Sequence, residues 1–150
     1  MPTTTVTLNG QVIGQAHYAT RAVLEGVLAR TGTTFAQSLA LNYAASADPA
    51  IEHEQLVARI TGGLKVPETE ALATVRELTG AGLLEAVPGE AARLRVSEAG
   101  RALSSGIRAE TDRIVQRLYG DVPAGDLAVA GRVLTLVTER ANAELAAAQQ

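Results

Sequence analysis

The chain has 150 residues, 47% of them hydrophobic, which is enough for one domain with a sizeable core and excludes an intrinsically disordered chain. It has no cysteine, which excludes disulfides and thiolate chemistry and fits a reducing cytoplasm, the location we expect. The formal net charge of −3 gives no overall attraction to nucleic acid, so any DNA-binding surface must be a local positive cluster.

The first half of the chain predicts three helices followed by a turn. Their expected spans are residues 10–30, 33–45, 48–60 and 61–66. Two adjacent apolar stripes run along the first helix, which predicts burial on more than one side. Thr33 or Thr34 can cap the second helix with its hydroxyl. Asp48 and Pro49 form a typical N-cap and first-position pair, which predicts the start of the third helix.

The second half predicts a helix, a β-hairpin and two long helices. Their expected spans are residues 67–80 for the helix, 83–87 and 93–96 for the strands, and 97–119 and 124–145 for the long helices. Pro67 suits the first position of a helix because its missing N–H needs no partner there. Glu68 and Glu70 follow in the first turn, where the helix dipole favours negative charge. Arg93 and Arg95 alternate with apolar residues, so both should lie on the outer face of the hairpin.

This order of helix, glycine turn and hairpin with outward arginines is typical of a winged helix-turn-helix. Several segments resemble those of the MarR family (multiple-antibiotic-resistance regulators). Residues 82–84 and 95–101 (GLL … RVSEAGR) resemble its GLV … RLTEAGR segment. Residues 32–37 (GTTFAQ) resemble its GLTxxQ helix start, and residues 56–60 (LVARI) stand where it has LAERL. The resemblance covers nearly the whole chain, with the segments in the family's order.

The resemblance implies a mostly α fold with a small β-wing, as a single MarR-like domain over residues 1–150. Residues 33–96 would form the winged helix-turn-helix lobe, called the winged lobe below. Residues 9–31 and 97–147 would supply the helices of a dimerisation platform. The apolar stripes independently favour a homodimer, since the first helix and the last two carry more apolar surface than a small winged core can cover.

The resemblance also implies a transcriptional regulator that binds double-stranded DNA. The recognition helix would be residues 67–80, and the wing would be the hairpin of residues 83–96. The candidate DNA contacts are polar or basic groups of this helix, the turn before it and the wing: Lys65, Thr69, Thr74, Arg76, Arg93 and Arg95. Glu68 and Glu70 would face the phosphates, the wing is short, and the family's Asp-x-Arg wing motif is absent, so we expect weak binding. Alternatively, the wing arginines form a plain polar strand face and the two glutamates only compensate the helix dipole.

Members of the family bind small, often phenolic or anionic ligands between the dimer helices and the winged domain, which implies a small-molecule effector here. The polar and aromatic groups best placed for such a cleft are His17, Tyr18, Arg21 and Tyr43. The alternative for His17, which lies on an apolar face, is a hydrogen-bonded core histidine. His53 stands between two glutamates whose side chains should point away from it, which predicts a solvated helix face.

The sequence offers no set of groups for catalysis. It has no cysteine, no G-x-S-x-G elbow and no phosphate loop, and its two histidines lack companion ligands at metal spacing. We therefore expect neither an enzyme nor a cofactor or metal. No apolar run approaches the roughly 18 residues of a membrane span, so we expect no membrane partner. The rival hypothesis is a MarR-fold protein that binds a small molecule or protein partner but no DNA, and the acidic recognition helix favours it.

Overall fold

The computed structural model describes residues 5–150, which contain six helices and a three-stranded antiparallel sheet. The elements in chain order are α1 (Gly10–Ala29), α2 (Phe35–Ser46), β1 (Ile51–Glu52), α3 (His53–Leu64), α4 (Glu68–Gly80), β2 (Leu84–Val87), β3 (Glu90–Val96), α5 (Glu98–Tyr119) and α6 (Ala124–Ala148). This mostly helical architecture with a small β-wing confirms the predicted fold class. Residues 5–111 belong to one compact unit, and Asp112–Gln150 form a second.

The sheet has β3 at its centre, in the order β1-β3-β2. Leu94 and Val96 of β3 are buried, and Arg93 and Arg95 alternate with them on the outer face, as the period of two predicts. The sequence did not predict β1, whose Ile51 pairs with Leu94. The sheet is therefore wider than the simple hairpin that the sequence suggested.

An aliphatic core holds the first unit together. Its buried side chains come from α2, α3, α4 and all three strands: Ala40, Leu41, Ala44, Ile51, Leu56, Val57, Ile60, Ala71, Val75, Leu78, Leu84, Leu94 and Val96. The α4 members, Ala71, Val75 and Leu78, follow the spacing of one helical face. The opposite face of α4 is consequently left to the solvent.

The predicted start of the third helix is wrong. Ile51 and Glu52 pair with β3, so the chain is extended there and α3 begins only at His53. The peptide bond between Asp48 and Pro49 is cis, and both residues lie in the turn between α2 and β1. The backbone pairing of β1 therefore overrides the local helix-start signal.

The predicted turn over residues 61–66 is also wrong, because α3 continues to Leu64. Gly63 of α3 lies beneath Tyr43 of α2, and a Cβ at this position would collide with the tyrosine hydroxyl. The close approach of the two helices thus explains a glycine inside a helix, where its propensity is poor. Lys65 ends α3 in the left-handed conformation, at φ 57°, so the connection to α4 is short.

The long helices carry apolar side chains that the chain itself does not bury. In α1 only Val27 and Leu28 are buried, so the predicted burial on two sides is not reached within one chain. α6 has no buried residue. Its exposed large apolar side chains are Leu127, Val129, Val133, Leu134, Leu136, Val137 and Leu145. Among residues 5–150, no helix combines the length and apolar character needed to cross a membrane.

Candidate nucleic-acid interface and ligand site

The solvent face of α4 carries both a hydrogen-bonding and an acidic part. The sequence predicted Pro67 as the first residue of this helix, but Pro67 is its N-cap, and α4 begins at Glu68. Glu68, Thr69 and Glu70 are all exposed in the first turn. Arg76 is exposed further along the helix, with no ion-pair partner within residues 5–150. One hydroxyl and one free guanidinium are therefore available beside two carboxylates that oppose a polyanion.

Two other residues predicted to contact DNA, Thr74 and Lys65, already make hydrogen bonds within the protein. Thr74 is only 7% exposed, and its hydroxyl donates a 3.0 Å hydrogen bond to the carbonyl of Glu70. The prediction that Thr74 contacts DNA is therefore wrong, because its position on the helix turns it into the core. Lys65 is exposed, and its ammonium donates a hydrogen bond to the carbonyl of Gly62 at the end of α3.

Both wing arginines are engaged in ion pairs on the outer face of the sheet. The Nε of Arg95 lies 2.9 Å from a carboxylate oxygen of Glu85 on β2. Arg93 lies between two carboxylates, with its Nε 3.5 Å from Glu52 on β1 and an Nη 3.4 Å from Glu90. The two arginines lie on the same face of the sheet, as predicted, but the positive charge of each is already paired with a carboxylate.

The net negative charge of the chain comes from its winged lobe. Residues 33–96 contain five basic and eight acidic side chains, a net charge of −3 that equals the charge of the whole sequence. The remaining residues carry eight of each sign and are neutral overall. The segment predicted to meet DNA is thus the most acidic part of the protein, which weakens any long-range attraction to phosphates.

Three of the four predicted ligand residues, His17, Tyr18 and Arg21, meet on α1 around the start of α2, and together with Phe35 they are called the α1 cluster below. The guanidinium carbon of Arg21 lies 4.2 Å from the ring centroid of Phe35, a cation–π contact. Arg21 also forms a 3.1 Å ion pair with Glu25. His17 packs edge-on toward Phe35, with ring centroids 6.5 Å apart, and toward Tyr18, with centroids 5.3 Å apart. His17 is exposed, so it is not the buried core histidine considered as its alternative.

Phe35 is a member of this cluster that sequence reasoning missed as a site residue. It is the only phenylalanine of the chain, and it is the first residue of α2. That position next to the helix N-cap was a signal in the sequence, but its contact with α1 depends on how the two helices cross. A cation, an imidazole and two aromatic rings together suit an anionic aromatic ligand.

The fourth predicted ligand residue, Tyr43, lies among residues of α3 and not beside the α1 cluster. The guanidinium of Arg59 is stacked 4.8 Å from its ring centroid and donates a 3.2 Å hydrogen bond to its carbonyl. Gly63 is close to its hydroxyl. No described contact joins Tyr43 to the α1 cluster, and its surroundings indicate a structural role between α2 and α3.

Several clefts of the described residues lie apart from the α1 cluster. One of about 250 Å³ lies between the end of α1 and α5, where Arg30 and Glu110 form a 2.9 Å ion pair at its rim. Another of about 340 Å³ lies between α4 and the wing and includes Arg76 and His53. His53 is half-buried beside the wing, whereas its neighbours Glu52 and Glu54 are exposed, so the predicted solvated face is only partly reached at His53 itself. No group of three or more potential metal ligands occurs in the part of the chain that the structure describes.

A side-chain bridge connects the start of α2 to α4. Gln37 completes a capping box, because its Oε1 accepts the backbone N–H of Thr34 and its own N–H donates to the Thr34 hydroxyl, each at 3.1 Å. The same side chain donates a 2.8 Å hydrogen bond from Nε2 to a carboxylate oxygen of Glu77. Gln37 therefore fixes the N-terminus of α2 and the solvent side of α4 at once.

No protein-family model matches the sequence, and comparison with curated proteins gives no match. Solved structures are similar in fold. A MarR protein from Peptoclostridium difficile is 15% identical, with a TM-score of 0.73 over 96% of this chain and 94% of the other. CouR from Rhodococcus jostii RHA1, bound to p-coumaroyl-CoA, is 16% identical, with a TM-score of 0.73 over 86% of this chain and 90% of the other.

A third similar structure is that of BpsR from Bordetella bronchiseptica, described for the regulation of its DNA binding by 6-hydroxynicotinic acid. It is 15% identical, with a TM-score of 0.67 over 92% of this chain and 98% of the other. These matches span nearly the full length of both chains, so they include the helices on either side of the winged lobe. At such low identities the likeness shows the fold, which is of the MarR type.

Proposed function

Starting from the MarR-type fold, we propose that this protein is a homodimeric transcriptional regulator that binds double-stranded DNA weakly and responds to a small ligand. The observation that carries the proposal is the winged helix-turn-helix, in which the solvent face of α4 is uncovered and its Arg76 has no ion pair within residues 5–150. The proposal includes no catalytic role, and the cytoplasm is the expected location. Because one fold hosts many functions, the individual surfaces of this protein decide which function it has.

The uncovered apolar side chains support the homodimer. α6 has no buried residue, although it carries seven exposed large apolar side chains, and α1 buries only two residues. Apolar surface of this extent marks an association site in a folded protein. A second copy of the chain is the natural partner, since two-fold pairing covers the same helices in both copies.

The DNA interface would involve α4, the turn before it and the wing. Thr69 and Arg76 can reach base edges or phosphates, and Lys65 stands just before the helix. A two-fold dimer should address half-sites about 34–36 Å apart. If only Lys65 and Arg76 of each chain release counterions, the logarithm of affinity should fall with the logarithm of salt at a slope of about −3.6.

The ligand site would be the α1 cluster of His17, Tyr18 and Arg21 with Phe35. BpsR is described with 6-hydroxynicotinic acid and CouR with p-coumaroyl-CoA, and both molecules carry an aromatic ring and negative charge. The guanidinium of Arg21 could pair with such an acid and Phe35 could stack on its ring. Tyr43 is left out of the proposed site because of its contacts with α3.

The DNA part of the proposal is tested by fluorescence anisotropy with a duplex from the protein's own promoter, starting at low salt. Arg76→Ala should weaken binding and make the salt slope shallower by about 1.8 for a dimer. Arg108→Ala is the matched control, because Arg108 is exposed, lies outside the winged lobe and has no ion pair within residues 5–150. Equal effects of the two variants, or no binding at low salt, would contradict the proposal.

The ligand part is tested by thermal unfolding with a panel of aromatic carboxylates that includes 6-hydroxynicotinic acid. A ligand that binds the folded state raises the melting temperature, and Arg21→Ala should reduce that rise whereas Arg108→Ala should not. A panel that shifts nothing would contradict the site.

A second candidate function is a MarR-fold protein that binds a small molecule or a protein partner but no DNA. The charge of the winged lobe favours it, because residues 33–96 carry a net charge of −3 and α4 opens with two glutamates that have no ion pair within residues 5–150. The two candidates differ in one measurement, since only the regulator should bind duplex DNA at low salt. Both share the ligand site on α1.

A further inference from the structure

We propose that Glu52 and Glu85 restrain DNA binding by holding the wing arginines in internal ion pairs. The inference rests on the proposed DNA-binding function. It assigns to these two glutamates a role in setting affinity, in addition to any part they play in the sheet.

The register of the sheet builds the ion pairs into the wing. Glu52 of β1 lies directly opposite Arg93, and Glu85 of β2 lies directly opposite Arg95. Directly opposed residues of antiparallel strands have Cβ atoms about 5 Å apart, so the opposite charges meet without a change in the backbone. Each wing arginine therefore has a carboxylate where an incoming phosphate would have to compete.

The geometry of Arg95 shows what a phosphate would encounter. Its Nε donates a 2.9 Å hydrogen bond to one oxygen of Glu85, while its two Nη groups make no described hydrogen bond. A phosphate could approach those Nη groups, but the charge of Glu85 would repel it and the pair would release little counterion. Full engagement requires the guanidinium to leave the glutamate.

The pairs are nevertheless open to exchange. The side chains of Arg93 and Arg95 are 35% and 42% exposed, and their glutamate partners are about half exposed. Exposed ion pairs are weak and screened by salt. The glutamates therefore lower DNA affinity without blocking binding, and their removal should cost the fold little.

Glu85→Gln tests the inference, with Glu54→Gln as the matched control. Both changes remove one negative charge from the winged lobe, but Glu54 is exposed on α3 and has no ion pair within residues 5–150. In salt-dependent anisotropy titrations with the promoter duplex, Glu85→Gln should tighten binding by roughly fivefold per chain, the effect of removing one like charge about 4 Å from a phosphate in water.

The salt slope provides the sharper readout. Freeing Arg95 in both chains should make the slope steeper by about 1.8, and adding Arg95→Gln to Glu85→Gln should abolish the gain. Glu54→Gln should leave the slope unchanged. The melting temperature of each variant, measured in parallel, should stay close to that of the wild type because the pair is exposed.

The outcomes separate this inference from the proposed function. Binding by the wild type with weaker affinity for Glu85→Gln, or with equal effects of Glu85→Gln and Glu54→Gln, overturns the inference alone. Binding only after Glu52→Gln and Glu85→Gln are combined supports the restraint by these glutamates but overturns the proposed function, because the wild type would then bind no DNA. No binding by any variant at low salt overturns both.

Discussion

The bridge between Gln37 and Glu77 should be worth a measurable coupling free energy. Gln37→Ala removes half of the capping box and the 2.8 Å bond to the carboxylate. The Thr34 hydroxyl keeps its bond from the backbone N–H of residue 37, so only the reciprocal bond of the capping box is lost, at about 0.5–1 kcal/mol. The exposed charge-assisted bond adds about 0.5–1 kcal/mol. Glu77→Ala loses only the second contribution. We therefore expect losses of about 1–2 kcal/mol for Gln37→Ala and about 0.5–1 kcal/mol for Glu77→Ala.

A double-mutant cycle isolates the bridge. The free energy of unfolding is measured by urea titration for the wild type, both single variants and the double variant, at one protein concentration because dimerisation would shift the midpoint. The double variant should lose about 0.5–1 kcal/mol less than the sum of the singles. Gln55→Ala, an exposed change on α3, should alter stability by less than about 0.5 kcal/mol. Additivity within about 0.3 kcal/mol would refute the coupling.

Three further predictions concern packing, assembly and charge. Gly100→Ala should destabilise the fold by about 1–3 kcal/mol in urea unfolding, since a Cβ would collide with the Leu83 carbonyl and lie 2.7 Å from Val96; an unchanged midpoint would contradict this. Leu134→Glu should place a charge in the proposed dimer interface, and light scattering should then detect monomers; a wild-type monomer at micromolar concentration would refute the dimer. Glu68→Gln combined with Glu70→Gln should tighten DNA binding, and weaker binding would show that the carboxylates aid recognition.

The sequence predicted the elements whose signals are local. The alternation of Arg93 and Arg95 with apolar residues is enough to predict that both arginines lie on the outer face. The N-cap of α2 is Thr34, one of the two threonines that the sequence offered for it. By contrast, β1 has two residues, which is too short for alternation to show, and it exists because Ile51 pairs with a strand more than 40 residues away. The start of α3 was wrong for the same reason.

In the candidate sites too, local spacing could be predicted from the sequence, whereas contacts between different elements could not. That Arg21 and His17 share a region of α1 could be predicted from helical spacing, but the stacking of Arg21 on Phe35 depends on the crossing of α1 and α2. The sequence correctly predicted the face of the sheet on which the wing arginines lie. It did not predict their partners Glu52 and Glu85, which come from two different strands. Only the cross-strand register, a non-local property, reveals those pairs.

The packing of Tyr43 against Gly63 gives the protein an internal optical probe. The sequence has three tyrosines and no tryptophan, so its intrinsic emission comes from tyrosine alone. Tyr18 and Tyr119 are exposed, whereas Tyr43 is half-buried under the guanidinium of Arg59. A soluble quencher should therefore reduce the emission of the first two and spare the third. The emission that remains in the presence of the quencher would therefore report on the packing of α2 against α3. This junction comes immediately before α4, the helix proposed to contact DNA.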